Sequence, residues 1–76
     1  MNKSAKEMFE ELGYIVFEDN EPELNSYCIV ITTEECYNSI IFDKNRKRIL
    51  FDYANIGIEE LQAINKMVSE LGWKNE

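Results

Sequence analysis

Residues 26–33 read Ser-Tyr-Cys-Ile-Val-Ile-Thr-Thr, which is the strongest strand signal in the chain. It is rich in β-branched and aromatic side chains, which favour the pleated, extended backbone of a sheet. Apolar residues stand at both odd and even positions, whereas a strand with one wet face alternates between apolar and polar residues. The stretch therefore predicts a central strand that is covered on both faces.

Shorter segments of the same character lie on either side of this strand. Residues 14–18 predict a strand before it, and residues 36–43 and 47–53 predict two strands after it. The acidic residues 19–25 contain the only proline of the chain, which predicts a loop. Residues 44–46, Lys-Asn-Arg, predict a tight turn because asparagine tolerates a positive φ. The simplest arrangement of these strands is an antiparallel meander.

Two amphipathic helices are predicted at the two ends of the chain. In residues 4–12 the apolar side chains recur at helical spacing, and Ser4 with Glu7 forms a capping box. Residues 58–71 show the same spacing, and a glycine followed by an aromatic residue ends each helix, which allows Tyr14 to fold back on Phe9. We predict one small α+β domain over residues 1–76, ordered α-β-β-β-β-α, with an antiparallel sheet and both helices packed on one face.

The second face of such a sheet is a candidate interaction surface. It carries the tyrosine, isoleucine, phenylalanine and leucine side chains that alternate away from the helices. An apolar sheet face exposed on a monomer is the kind of patch that binds a partner or a second copy of the chain. The tyrosines assigned to this candidate surface are Tyr27, Tyr37 and Tyr53.

The composition argues against catalysis. The chain has 15 acidic and 8 basic residues, a net charge of -7 and no histidine. Without histidine, Ser/His/Asp and Cys/His sites are excluded, and two cysteines alone do not complete a usual zinc site. The three glycines are scattered and form no phosphate-binding loop. We therefore expect a non-enzymatic protein without a cofactor, whose negative field attracts basic partners and repels nucleic acid.

Four carboxylates of the acidic segment complete the candidate interaction surface: Glu18, Asp19, Glu21 and Glu23. Alternating oxygen ligands suit Ca²⁺ or Mg²⁺, but the spacing lacks the turn glycine and the final bidentate glutamate of an EF-hand, so a solvated loop is favoured over a metal site. An alternative function is mimicry. Together with carboxylates of the helices, these groups would imitate the phosphates of a duplex and inhibit a host DNA- or RNA-binding protein.

Half of the basic residues lie in one window, residues 44–48. A cluster of this kind can place a hairpin tip on phosphates. The rest of the body is strongly acidic and opposes a close approach to DNA or RNA, whereas charges at a turn keep a hairpin from pairing at its edge. We therefore expect no direct binding of nucleic acid.

The chain has no apolar segment of membrane-spanning length. Its uninterrupted apolar runs, such as residues 14–17 and 28–31, are only a few residues long. Each is far shorter than the roughly 20 residues needed to cross a bilayer. The first residues also lack the apolar stretch of a signal peptide. The expectation is a cytoplasmic protein without a membrane partner.

The two cysteines are expected to stay reduced. A hairpin that turns near residues 34–35 pairs Cys28 with a residue near Ile40 or Ile41 and leaves Cys36 by the turn. At about 3.3 Å per strand residue the two would lie about 13 Å or more apart. A disulfide needs Cα atoms within about 7 Å of each other.

Four phrases of the sequence are AKEMFEELGY at 5–14, IFD at 41–43, IEELQAI at 58–64 and LGW at 71–73. Together they span nearly the whole chain, and they resemble a group of short acidic proteins carried by prophages and other mobile elements of Firmicutes. The resemblance implies a bacterial cytosol and an accessory gene. It carries over no catalytic or binding residue. Small phage-borne proteins without chemistry often act by binding a host protein, so the partner expected here is an unidentified host protein or a second copy in a homodimer.

Overall fold

The computed structural model describes residues 3–35, 38–52 and 55–73. Its elements follow the predicted order α-β-β-β-β-α, with a short 3₁₀ turn at Pro22–Leu24. The helices and strands are α1 (Ala5–Glu11), β1 (Ile15–Glu21), β2 (Ser26–Thr32), β3 (Ser39–Asp43), β4 (Arg48–Asp52) and α2 (Ile58–Glu70). The four strands form one antiparallel sheet in the order β1-β2-β3-β4. The predicted α+β class and meander are confirmed.

The first hairpin is longer than predicted. Asp19–Glu21 were expected in a loop, which is wrong, because these residues belong to β1 and pair with residues 26–28 of β2. The chain reverses through the 3₁₀ turn and Asn25, whose φ of 53° is left-handed. Proline at the start of the turn and asparagine at its end confine the reversal, so the acidic residues before it can remain extended.

The pairing of β2 with β3 also differs from the prediction. Cys28 lies opposite Asp43, not near Ile40 or Ile41, and Ile40 lies opposite Ile31. Asn38 has a left-handed φ of 55°, which is incompatible with strand pairing, and β3 begins immediately after it. This lengthens the connection and shifts the register. Cys28 is a free thiol, and Cys36 lies outside the described residues.

Both helices pack on one face of the sheet. The strand side chains that reach the buried core are Ile31, Ile40 and Phe42, and all three share one face. The helices complete the core with Ala5, Phe9, Ala63, Ile64 and Met67. The prediction that β2 is covered on both faces is therefore wrong. The two helices form a single layer, and Val30 of β2, on the other side of the sheet, is half-buried and outside the core.

The helices run antiparallel, and hydrogen bonds connect them at both ends. At the start of α1, the Ala5 backbone N–H donates to the Glu70 carboxylate at the end of α2 over 2.9 Å. Just beyond the end of α1, the Tyr14 hydroxyl donates to Glu60 in the first turn of α2 over 3.4 Å. Burial, and then the charge of Glu60, raises the pKa of Tyr14. These contacts fix the helix layer above the sheet.

The helices of the described residues are too short or too polar to cross a bilayer.

Candidate interaction surface

The sheet face turned away from the helices, here called the open face, carries a row of apolar side chains across all four strands. Paired residues of an antiparallel sheet project to the same side. Phe17 pairs with Val30, Val30 with Ile41, and Ile41 with Leu50. These four residues, which we call the apolar row, therefore form one continuous line from β1 to β4.

The apolar row is accessible to a partner. Phe17 is 46% exposed and Leu50 is 45% exposed, while Val30 and Ile41 on the inner strands are half-buried. None of the four belongs to the hydrophobic core or packs against it. An antiparallel sheet with one solvated face normally carries polar side chains there. A line of four apolar residues on that face is the pattern of a binding surface.

On each side of the apolar row lies one row that is more polar than the apolar row. On the side of the β3–β4 turn lies the charged row, which consists of Asp19, Cys28, Asp43 and Arg48 in strand order. On the other side lies a row that consists of Ile15, Thr32, Ser39 and Asp52. The open face thus has an apolar centre and polar margins, the usual anatomy of a protein–protein interface.

The inner polar groups of these margins already have partners within the chain. The hydroxyls of Thr32 and Ser39 share a hydrogen bond of 2.8 Å. Asp43 accepts backbone N–H bonds from Asn45 and Arg46 at 3.1 and 3.2 Å, and the Arg46 guanidinium lies 3.2 Å away. The backbone bond from Arg46 is the main reason that the pKa of Asp43 lies below its usual value. A partner can therefore cover these groups without leaving them unpaired.

The four carboxylates predicted as part of the surface do not share one face. Glu18 pairs with Ile29 and lies on the helix side, whereas Asp19 pairs with Cys28 and lies on the open face. Glu21 ends β1, and Glu23 lies in the 3₁₀ turn. Side chains alternate along a strand, so a segment that was expected to be a loop divides its charges between the two faces.

Only one of the three tyrosines predicted for the surface lies in the described part of the chain. Tyr27 pairs with Asn20 and is on the helix side of the sheet, where it is half-buried. Tyr37 and Tyr53 lie outside the described residues. The sequence predicted an apolar face, but the four residues of the apolar row were not identified. The available signal was alternation, because Ile41 stands between Ile40 and Phe42 and must face away from them once these two are assigned to the core.

The acidic and basic clusters are neighbours. The Lys44 ammonium group lies 3.0 Å from the Glu18 carboxylate, and the backbone N–H of Lys44 donates to the Tyr27 carbonyl over 2.8 Å. The Asn45 side chain donates to the Asn25 carbonyl. The tips of the two hairpins therefore lie side by side at one end of the sheet, and the basic turn partly neutralises the acidic segment.

A groove of about 450 Å³ separates β1 from the helices. Its lining mixes apolar and oppositely charged side chains: Lys6, Val16, Phe17, Glu18, Ile29, Met67 and Glu70. In residues 3–35, 38–52 and 55–73, no three histidine, cysteine, aspartate or glutamate side chains are placed to hold a metal ion. Apolar side chains away from the apolar row are also exposed, among them Phe51, Ile58 and Leu61.

Comparison of the whole chain with known protein families, with curated proteins and with solved structures found no match. A functional assignment therefore rests on the geometry of the fold and its surfaces.

Proposed function

We propose that this protein is a non-enzymatic interaction module of the phage or mobile-element type, which binds a host protein or itself. The apolar row on the open face is the observation that carries the proposal. Its residues lie on a rigid sheet, so little conformational entropy is lost when a partner covers them.

Burial of the apolar row contributes a few kilocalories per mole to the free energy of binding. Burial of a large apolar side chain is worth about 1.5–3 kcal/mol when the change is from fully exposed to fully buried. The side chains of Phe17 and Leu50 are about half exposed, so each contributes roughly half of this range. Val30 and Ile41 are already half-buried, so their burial adds less free energy. The sum suits a specific but weak complex, in which the polar margins set the orientation of the partner.

The mimicry alternative needs an ordered array of carboxylates. Glu18 and Asp19 lie on opposite faces of the sheet, and Glu18 is engaged by Lys44. This arrangement favours an apolar interface over an imitation of a phosphate backbone. We therefore retain mimicry only as an outcome that the following experiment can detect.

A partner-capture experiment tests the proposal. Phe17→Glu places a charge in the apolar row, whereas Leu24→Glu makes the same kind of change at a side chain that is 70% exposed in the 3₁₀ turn of the same hairpin. Each tagged variant is used to capture partners from a nuclease-treated lysate of a Gram-positive bacterium, with quantification by mass spectrometry. We expect recovery of partner, or of untagged copies of the chain, to fall about tenfold or more with Phe17→Glu, which corresponds to about 1.4 kcal/mol.

Leu24→Glu is expected to capture as much partner as the native chain. Equal recovery with Phe17→Glu and the native chain, with both folded by circular dichroism, would contradict the proposal. Displacement of the captured protein by added duplex DNA would instead favour the mimic.

A further inference from the structure

We propose that the open face binds a second copy of this chain, sheet on sheet, about a two-fold axis that runs parallel to the strands between the two sheets. The inference rests on the proposed function and names the occupant of the same surface. It is carried by the apolar row and the charged row of the open face, because each of these two rows is complementary to itself under this rotation.

The rotation superposes the apolar rows. A two-fold axis parallel to the strands reverses the strand order but keeps the position along the strands. Each row therefore faces the same row of the second copy. β1 then lies over β4 of the second copy, and β2 lies over β3. Phe17 faces Leu50 of the second copy, and Val30 faces its Ile41. An isologous interface requires such self-complementarity, and every side chain of the apolar row meets another apolar side chain.

The charged rows match under the same rotation. Asp19 is at the β1 end of the charged row, and Arg48 is at its β4 end. The axis therefore brings Asp19 of each copy over Arg48 of the other, which gives two opposite-charge pairs. Aligned sheets pack at about 30° to one another, which displaces edge residues by only a few ångströms, within the reach of an arginine side chain. A two-fold axis that lies between the sheets but runs perpendicular to the strands would instead place Asp19 of one copy over Ile15 of the other.

In the third row Ile15 faces Asp52 of the second copy, which is not a complementary contact, but both residues are exposed at the edges of the sheet. The hydroxyls of Thr32 and Ser39 are satisfied by their mutual hydrogen bond, so they can be buried between the sheets. The exposed carboxylates of the helices, such as Glu10 and Glu59, lie on the outer layer of a body that is 19 Å thick along its shortest axis. At physiological salt, charges separated by more than about 8 Å are largely screened. The net charge of -7 is therefore a small obstacle to dimerisation.

The area available makes the dimer weak. Four strands of five to seven residues form a face about 19 Å wide and about 17–23 Å long, or about 300–450 Å² for each copy. The total of about 600–900 Å² lies below the standard size of stable interfaces and within the range of transient ones. We therefore expect a monomer–dimer equilibrium that depends on concentration, with a dissociation constant in the micromolar range or above.

Sedimentation equilibrium from about 10 µM to about 1 mM tests the inference on the full chain. The variants are Asp19→Arg, Arg48→Asp and the double variant that carries both. Arg48 also lies 4.0 Å from Asp43 of its own chain, so Arg48→Asp brings two carboxylates close together. We expect the native chain to dimerise, each single reversal to raise the dissociation constant about tenfold or more, and the double variant to recover part of the lost affinity because the pairs between the copies are restored with exchanged signs. Lys47→Asp is the control, since it changes the charge equally in the turn next to β4 and is expected to leave dimerisation unchanged.

A native chain that stays monomeric over the whole range would overturn the inference, and so would a double variant no better than the single variants. A different result would refute the proposed function. If the native chain is monomeric but Phe17→Glu still loses a captured host protein, the open face binds a different protein and only the second copy is refuted.

Discussion

Phe42→Ala is expected to leave the protein largely unfolded at room temperature. Phe42 is fully buried, and its ring lies between those of Phe9 and Trp73, with centroid distances of 6.4 and 6.1 Å. Truncation of a buried phenylalanine costs about 3–5 kcal/mol because transfer energy is lost and a cavity remains. A domain of this size rarely has more than about 3–5 kcal/mol of stability in total. The substitution therefore removes most or all of the free energy of unfolding.

Thermal and urea unfolding followed by circular dichroism measure this effect. Phe51→Ala is the matched control, because Phe51 lies on the helix side of the neighbouring strand but is 53% exposed. We expect Phe51→Ala to lower the free energy of unfolding by about 1 kcal/mol or less. If the two alanine variants unfold at the same urea concentration, Phe42 is not at the centre of the core.

Ile40→Glu and Ile41→Glu are expected to have opposite consequences, although the two residues are identical and adjacent in β3. Ile40 is 0% exposed and faces the helices, whereas Ile41 is half-buried on the open face. A carboxylate at position 40 would be buried without a partner, which costs several kilocalories per mole and exceeds the stability of the domain. At position 41 the carboxylate can reach water, so the fold is retained while the apolar row is interrupted.

Urea unfolding and sedimentation separate these outcomes. Ile40→Glu is expected to lack a cooperative transition. Ile41→Glu is expected to unfold cooperatively at a lower urea concentration than the native chain and to lose association. The reverse result, with Ile41→Glu unfolded and Ile40→Glu native-like, would mean that β3 presents its faces the other way round.

Local signals predicted the elements of this fold well. The capping box at the start of α1 is present, with Ser4 and Glu7 exchanging hydrogen bonds of 2.9 and 3.1 Å. The glycines after the two helices adopt φ values of 96° and 73°, as a left-handed stop requires. Tyr14 folds back on Phe9 with a ring-centroid distance of 5.9 Å. Each of these features depends on residues a few positions apart, which is why sequence reasoning can identify them.

Pairing between strands was predicted less well, and the candidate surface depends on it. A shift of one residue in register moves every side chain of a strand to the other face. The extension of β1 through Glu21 and the start of β3 at Ser39 therefore decide which residues are exposed. Tyr27 was chosen because it is aromatic, yet composition alone does not show that it faces the helices. The open face itself was expected from the packing of both helices on one side, but its residues were not.

The open face is the surface through which we propose that this protein binds its partner. Hydroxyl-radical footprinting, read by mass spectrometry, tests this proposal by comparing the free chain with the chain in its associated state, whether bound to itself or to a captured protein. We expect Phe17 and Leu50 to lose reactivity several-fold on association, whereas Ile58, which is 71% exposed on α2, keeps its reactivity. Protection of Ile58 with unchanged reactivity at Phe17 and Leu50 would place the binding surface on the helix layer and contradict the account.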